Sequence, residues 1–141
     1  MATTATVTLS SDIFSGFSGY SKTMTMYKDG SLVDIDSSTG FSKRKLASTT
    51  KVDLITMANE LVEPLDNTGA KVYIKHTGNG KGVFDKSVGV TVLINSVEIG
   101  VLYGGDWLLM PVAVVDAEDI EVKPGSDATV VLEYVMFYEE A

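Results

Sequence analysis

Side-chain alternation with a period of two is the feature that most constrains this chain. Successive side chains of an extended strand point to opposite faces, so a half-buried strand reads apolar, polar, apolar. Residues 3–9 do so, with Ala5, Val7 and Leu9 on one face. Residues 20–27 set Met24 and Met26 against Thr23, Thr25 and Tyr27, and residues 71–76 set Val72 and Ile74 against Lys71, Tyr73 and Lys75. Residues 88–94 align Val88, Val90, Val92 and Ile94, and two further strands are predicted over 97–103 and 119–123. The last stretch, 127–138, alternates Ala128, Val130, Leu132, Tyr134, Met136 and Tyr138 with a second face that is apolar except at Glu133. A strand apolar on both faces is central in its sheet or covered twice.

Turn chemistry separates these runs. Lys28-Asp29-Gly30-Ser31 reads as a hairpin turn, because Asp-Gly accepts the positive φ such turns need. Gly78-Asn79-Gly80-Lys81-Gly82 reads as a loop tip, and Gly104-Gly105 and Lys123-Pro124-Gly125-Ser126 are further breaks. Many strands at this spacing predict an all-β fold, an antiparallel sandwich or barrel with little helix. The best helix candidate is Thr50 to Leu61, where Asp53 would cap a turn holding Ile55, Met57, Ala58 and Leu61; a strand over Lys51 to Met57 competes with it.

With 141 residues, no internal repeat and no linker, one domain is expected. A chain of this size buries roughly 68–70% of its unfolded surface, enough for a core without staples. Residues 1–20 read as an N-terminal strand followed by an aromatic segment, and 21–141 as the sandwich body. The segment at 11–20 fits no strand pattern: glycines and serines surround Ile13, Phe14, Phe17 and Tyr20. Its aromatics tuck into the domain's own core or form an arm that packs on a neighbouring subunit, since aromatics are enriched at interface centres.

Composition narrows the function. The net charge is −8 and the bases are scattered except for Lys43-Arg44-Lys45, so neither the phosphate contacts of nucleic-acid binding nor adhesion to an anionic membrane is expected. The opening MATTATVTLSSD lacks the basic and apolar stretches of a signal peptide. The longest apolar run, Trp107 to Val115, is interrupted by Pro111 and falls short of the ~20 residues of a membrane helix. The absence of cysteine excludes disulfides, thiolate metal sites and thiol catalysis.

No catalytic pattern stands out, and the chain is read as a binding protein rather than an enzyme, with no cofactor and no resident metal. The single histidine, His76, sits at a strand end beside a glycine loop and is read as solvated. Asp34, Asp36 and Ser38 resemble the opening of a calcium loop, but the glycine falls one place late and Lys45 stands where a bidentate Glu belongs. Asp116, Glu118 and Asp119 read as a solvated loop. Trp107, Tyr103 and Tyr73 offer a stacking platform for carbohydrate, although the apolar neighbours of Trp107 point to the core instead.

Four segments, ATTATVTLSSDI, AKVYIKHTGNG, EIGVLYGGDWLLMPV and DIEVKPGSDATVVLEYVMFYE, resemble small virion structural proteins of tailed phages, especially phages of marine bacteria. The resemblance spans most of the chain in strand and turn patterns and brings no catalytic residues. It implies a jelly-roll-like β-sandwich on a virion, synthesised in the host cytoplasm. The role it implies is capsid decoration: a trimer or dimer that cements neighbouring subunits of the major capsid protein. A tail, neck or fibre component, or a carbohydrate- or receptor-binding module, is the alternative. On this reading Ile13, Phe14 and Phe17 are the apolar anchor, and Lys43, Arg44 and Lys45 a secondary contact.

Overall fold

The structure, a computed structural model, describes residues 3–9, 20–27, 35, 37–56, 69–78, 88–113 and 119–138. Its elements are strands throughout: β1 (Thr4–Leu9), β2 (Tyr20–Thr25), β3 (Ser37–Ser38), β4 (Ser42–Leu46), β5 (Val52–Ile55), β6 (Gly69–His76), β7 (Val90–Ile94), β8 (Val97–Leu102), β9 (Trp107–Ala113), β10 (Ile120–Pro124) and β11 (Val130–Tyr138). They form a β1–β2 hairpin, a four-stranded sheet ordered β5-β10-β7-β8, and a five-stranded sheet ordered β3-β11-β6-β9 with β4 also paired to β11. Every pairing is antiparallel.

One apolar cluster draws on both larger sheets and makes them a sandwich. Leu46, Ala70, Val72, Ile74, Val112, Val130, Leu132 and Met136 from the five-stranded sheet meet Leu54, Ile55, Val90, Val92, Leu102, Ile120 and Val122 from the other. The alternation of β6 and β11 is what assigns these residues to the inner faces. β11 is central, flanked by β6 on one side and by β3 and β4 on the other, as its two apolar faces predict.

His76 joins the two layers. It is fully buried, not solvated as the sequence suggested. Its Nδ1 accepts the Gly78 N–H at 3.0 Å, which leaves Nε2 to donate to the Val88 carbonyl at 3.0 Å. The buried ring therefore has both nitrogens satisfied, and it ties the end of β6 to the residues leading into β7. Burial of a polar ring is tolerated where each polar atom finds a partner.

The helix candidate resolves as β5 over its described part; residues 57–61 lie outside the described residues. β5 pairs with β10, and the register shifts so that Ile120 faces Ile55 while Glu121 faces Asp53. Leu54 is the extra residue of a bulge, and Leu54 and Ile55 are both buried although adjacent. A bulge breaks the period-two pattern in this way, which is why the stretch reads equally as helix or strand.

Two strands carry no alternation that sequence could use. β9 contains Pro111, which pairs with Lys71 on the outermost strand of the five-stranded sheet; an edge strand tolerates a residue without an N–H. β4 is the basic Ser-Lys-Arg-Lys-Leu stretch. The β7–β8 connection is a two-residue turn with Asn95 at φ 49° and Ser96 at φ 64°, the left-handed pair that matches strand twist in a hairpin. Glu121, buried on β10, holds that turn: Ser96 N–H donates to its Oε1 at 2.6 Å, and Lys51 Nζ lies 2.6 Å from its Oε2. Its carboxyl titrates below the usual range because of the Lys51 hydrogen bond first; burial works in the other direction, and the Ser96 N–H adds to the lowering.

Candidate binding surface

The outer face of the five-stranded sheet is built from residues one step out of phase with the core. Pairing registers set Lys43, Glu133, Lys75 and Trp107 side by side across β4, β11, β6 and β9. The next row holds Val135, Tyr73 and Leu109. Phe41, just before β4, closes the row's end: its ring centroid is 6.2 Å from that of Tyr73 at an interplanar angle of 77°. Tyr73 in turn lies 6.4 Å from Trp107 at 37°. The three rings form an open, angled strip.

Trp107 owes its outward position to the turn before β9. His76 N–H donates to the Asp106 carbonyl at 2.9 Å and Gly105 N–H to the His76 carbonyl at 2.8 Å. Asp106 Oδ2 accepts the Tyr103 N–H at 2.9 Å, and Gly105 takes φ 95°, where a residue with a Cβ is strained. The turn is thereby fixed to the end of β6, and Trp107 enters the sheet opposite Lys75. Its side chain is 51% exposed, which corrects the core role its apolar neighbours suggested.

The β1–β2 hairpin forms the second wall. Thr4, Ala5, Thr6 and Val7 of β1, with buried Met26, face Phe41, Tyr73, Lys75, Trp107, Leu109, Glu133, Val135 and Phe137 across a groove of about 430 Å³. The hairpin is tied across its strands by Thr6 Oγ1–Thr23 Oγ1 at 2.7 Å and Thr8 Oγ1–Ser21 Oγ at 3.2 Å. Among the described residues the one ion pair joins Lys51 and Glu121, so Lys43, Glu133 and Lys75 stand in a row without pairing. Burial in the groove raises the phenol of Tyr73 above its ordinary 10.0, and the charge of Glu133 raises it further.

Of the sequence-predicted residues, Lys43, Tyr73 and Trp107 lie on this face. Ile13, Phe14 and Phe17 lie outside the described residues, as do Asp34, Asp36, Asp116 and Glu118. Lys43, Arg44 and Lys45 do not form one patch, because strand alternation divides them. Lys43 and Lys45 are exposed on the outer face. Arg44 is half-buried and its guanidinium donates to the Asp53 carbonyl of β5 at 2.9 Å, so it bridges the sheets. Among the described residues no group of three or more His, Asp or Glu could hold a metal ion, and no helix is long and apolar enough to cross a membrane. Tyr103 is exposed but does not line the groove. Phe41 and Glu133 were missed by sequence reasoning as members of this surface. Only the pairing register brings them to Tyr73 and Trp107.

A second exposed apolar surface lies on β8. This strand ends the four-stranded sheet, and its Val97, Ile99 and Val101 are 64%, 43% and 47% exposed. A Cβ built on Gly100 meets nothing within 4 Å among the described residues.

No protein-family model matches the chain, and no curated protein matches it either.

Proposed function

We propose that this chain is a non-catalytic structural protein of a phage particle, decorating the capsid and holding neighbouring capsid subunits together as a homo-oligomer. The sequence resemblance introduces this reading, and the jelly-roll connectivity it implies is part of the proposal. The observation that carries it is the β8 rim. Natural edge strands are usually blunted by lysine, proline or a covering element. β8 has neither residue and, among the described residues, no covering element; it carries Glu98 and a bulge at Ile99, yet it presents Val97, Ile99 and Val101 to solvent. An exposed apolar rim of this kind marks a protein contact. A cement protein needs only a rigid scaffold with such an anchor, because many weak equivalent contacts on a shell sum through effective concentration.

The test is co-sedimentation of the full-length protein with empty shells of the cognate phage, alongside its mass by light scattering. Binding to shells as a dimer or trimer, lost in Ile99→Lys with the fold intact by circular dichroism, supports the proposal. A wild-type protein that stays in the supernatant overturns it.

A further inference from the structure

The groove between the β1–β2 hairpin and the five-stranded sheet has a composition that capsid cementing by the β8 rim does not use. We propose that it is a binding site for a neutral saccharide, with Tyr73 and Trp107 as stacking surfaces and Lys75 and Glu133 as hydrogen-bonding partners. The volume of about 430 Å³ falls in the range of small-ligand sites.

The ligand class follows from three features of the lining. A sugar ring is amphipathic, with C–H faces that stack on aromatic rings and a girdle of hydroxyls at its edge. Phe41, Tyr73 and Trp107 supply the aromatic strip, and Trp107 is half exposed. Second, a hydroxyl both donates and accepts. The row Lys43, Glu133, Lys75 alternates donor, acceptor, donor at the spacing of adjacent strands, roughly 4.8 Å. None of the three is committed to an ion pair. Third, the groove wall itself carries one cation, Lys75, and one anion, Glu133. That balance matches a neutral ligand and neither a polyanion nor a polycation.

A proline-rich peptide is the competing occupant of an aromatic groove. Proline has no N–H to donate, so a proline seated here packs on the aromatic rings but offers no donor to the Glu133 carboxylate. A saccharide hydroxyl satisfies it.

Trp107 is the chain's only tryptophan, so its emission reports on the groove directly. The experiment titrates the full-length protein with a panel of neutral oligosaccharides covering glucans, mannans, xylans and chitin fragments. A proline-rich peptide serves as comparator, and isothermal calorimetry is run in parallel. The expected result is a saturable change in Trp107 emission with at least one glycan. Calorimetric affinity should fall about tenfold or more in Trp107→Ala and in Glu133→Gln, while both variants still co-sediment with shells if the β8 reading holds. No response to any glycan overturns the inference. So does a response to the peptide alone, or glycan binding that Trp107→Ala leaves unchanged. Ile99→Lys should keep glycan binding, so failure of the groove and failure of the rim are read separately.

Discussion

Val72, Ile74, Leu132 and Met136 on the inner face of the five-stranded sheet are completely buried. One residue out of step on the same strands, Tyr73, Glu133 and Phe137 remain half-buried on the outer face, although Val135 among them is 1% exposed, and neighbouring Trp107 is 51% exposed. The two faces share a backbone and a register and differ in what lies opposite. The inner face meets a second sheet whose side chains fill the space between. Among the described residues the outer face meets a two-stranded hairpin, which leaves a groove. Side chains on the inner face are thus held by their own fold, while those outside keep aromatic area and charge that the fold does not consume.

Substitution on the two faces should separate most sharply. Leu132→Ala removes a fully buried side chain from the sandwich core and is expected to cost about 3–5 kcal/mol of stability, through lost transfer energy and the cavity left behind. Trp107→Ala removes a larger side chain but should change stability by no more than about 1 kcal/mol. Urea unfolding of the two variants measures this. Equal losses would mean that the outer face is as much a core as the inner one.

His76→Leu comes next. It keeps the apolar volume but strips the partners from the Gly78 N–H and the Val88 carbonyl. Leaving two buried backbone groups unpaired is expected to cost about 2–4 kcal/mol. Hydrogen exchange sharpens the assignment, since the Gly78 amide should lose protection more than amides in the middle of β11. If unfolding shows no loss, the ring is not the link between the sheets.

A smaller effect belongs to Glu121, which lies on the far side of the four-stranded sheet from the groove. Its carboxyl is held below the ordinary value of 4.5 by Lys51. A depressed carboxyl stabilises the folded state fully above that value, and the contribution is lost as pH falls from about 4.5 through the folded-state value. Glu121→Gln should therefore be less stable than the parent near neutral pH by about 1–2 kcal/mol, and the two should converge in acid. A difference that persists unchanged through that range would remove the Lys51–Glu121 pair as the cause.

These expectations also mark what sequence could and could not convey. Strands β6, β7 and β11 were legible because alternation reports one buried face at a time; the same reading placed β1, β2, β8 and β10, but Leu9 and Met24, read as inward, are 51% and 52% exposed. β5 was ambiguous because its bulge sets Leu54 and Ile55 inward together. β9 was hidden by Pro111, which only an edge position explains. The burial of His76 had no local sign: its partners depend on where residues leading into β7 pass over the end of β6. The outer face was visible only in part. Tyr73 and Trp107 were picked out as aromatics, but their grouping with Phe41 and Glu133 is a product of registers between strands far apart in the chain. Tyr103, which sequence placed beside them, is absent from the groove lining.

The smallest expected effect tests how dry the outer face is. Tyr73 is held protonated beyond its ordinary 10.0, by burial first and by the Glu133 charge second. An acid whose folded-state value is raised loses stability as pH climbs from 10.0 towards that value, because the unfolded chain releases its proton first. The chain has six tyrosines, so the phenolate absorbance of the parent minus that of Tyr73→Phe isolates this one. In Glu133→Gln the Tyr73 midpoint should move down, but not back to 10.0, since burial in the groove remains. A full return to the ordinary value would make the carboxylate the whole cause and the groove a wet surface. No movement would place Glu133 too far from the phenol to share a ligand with it. An intermediate shift is the outcome that keeps aromatic ring and carboxylate in one site.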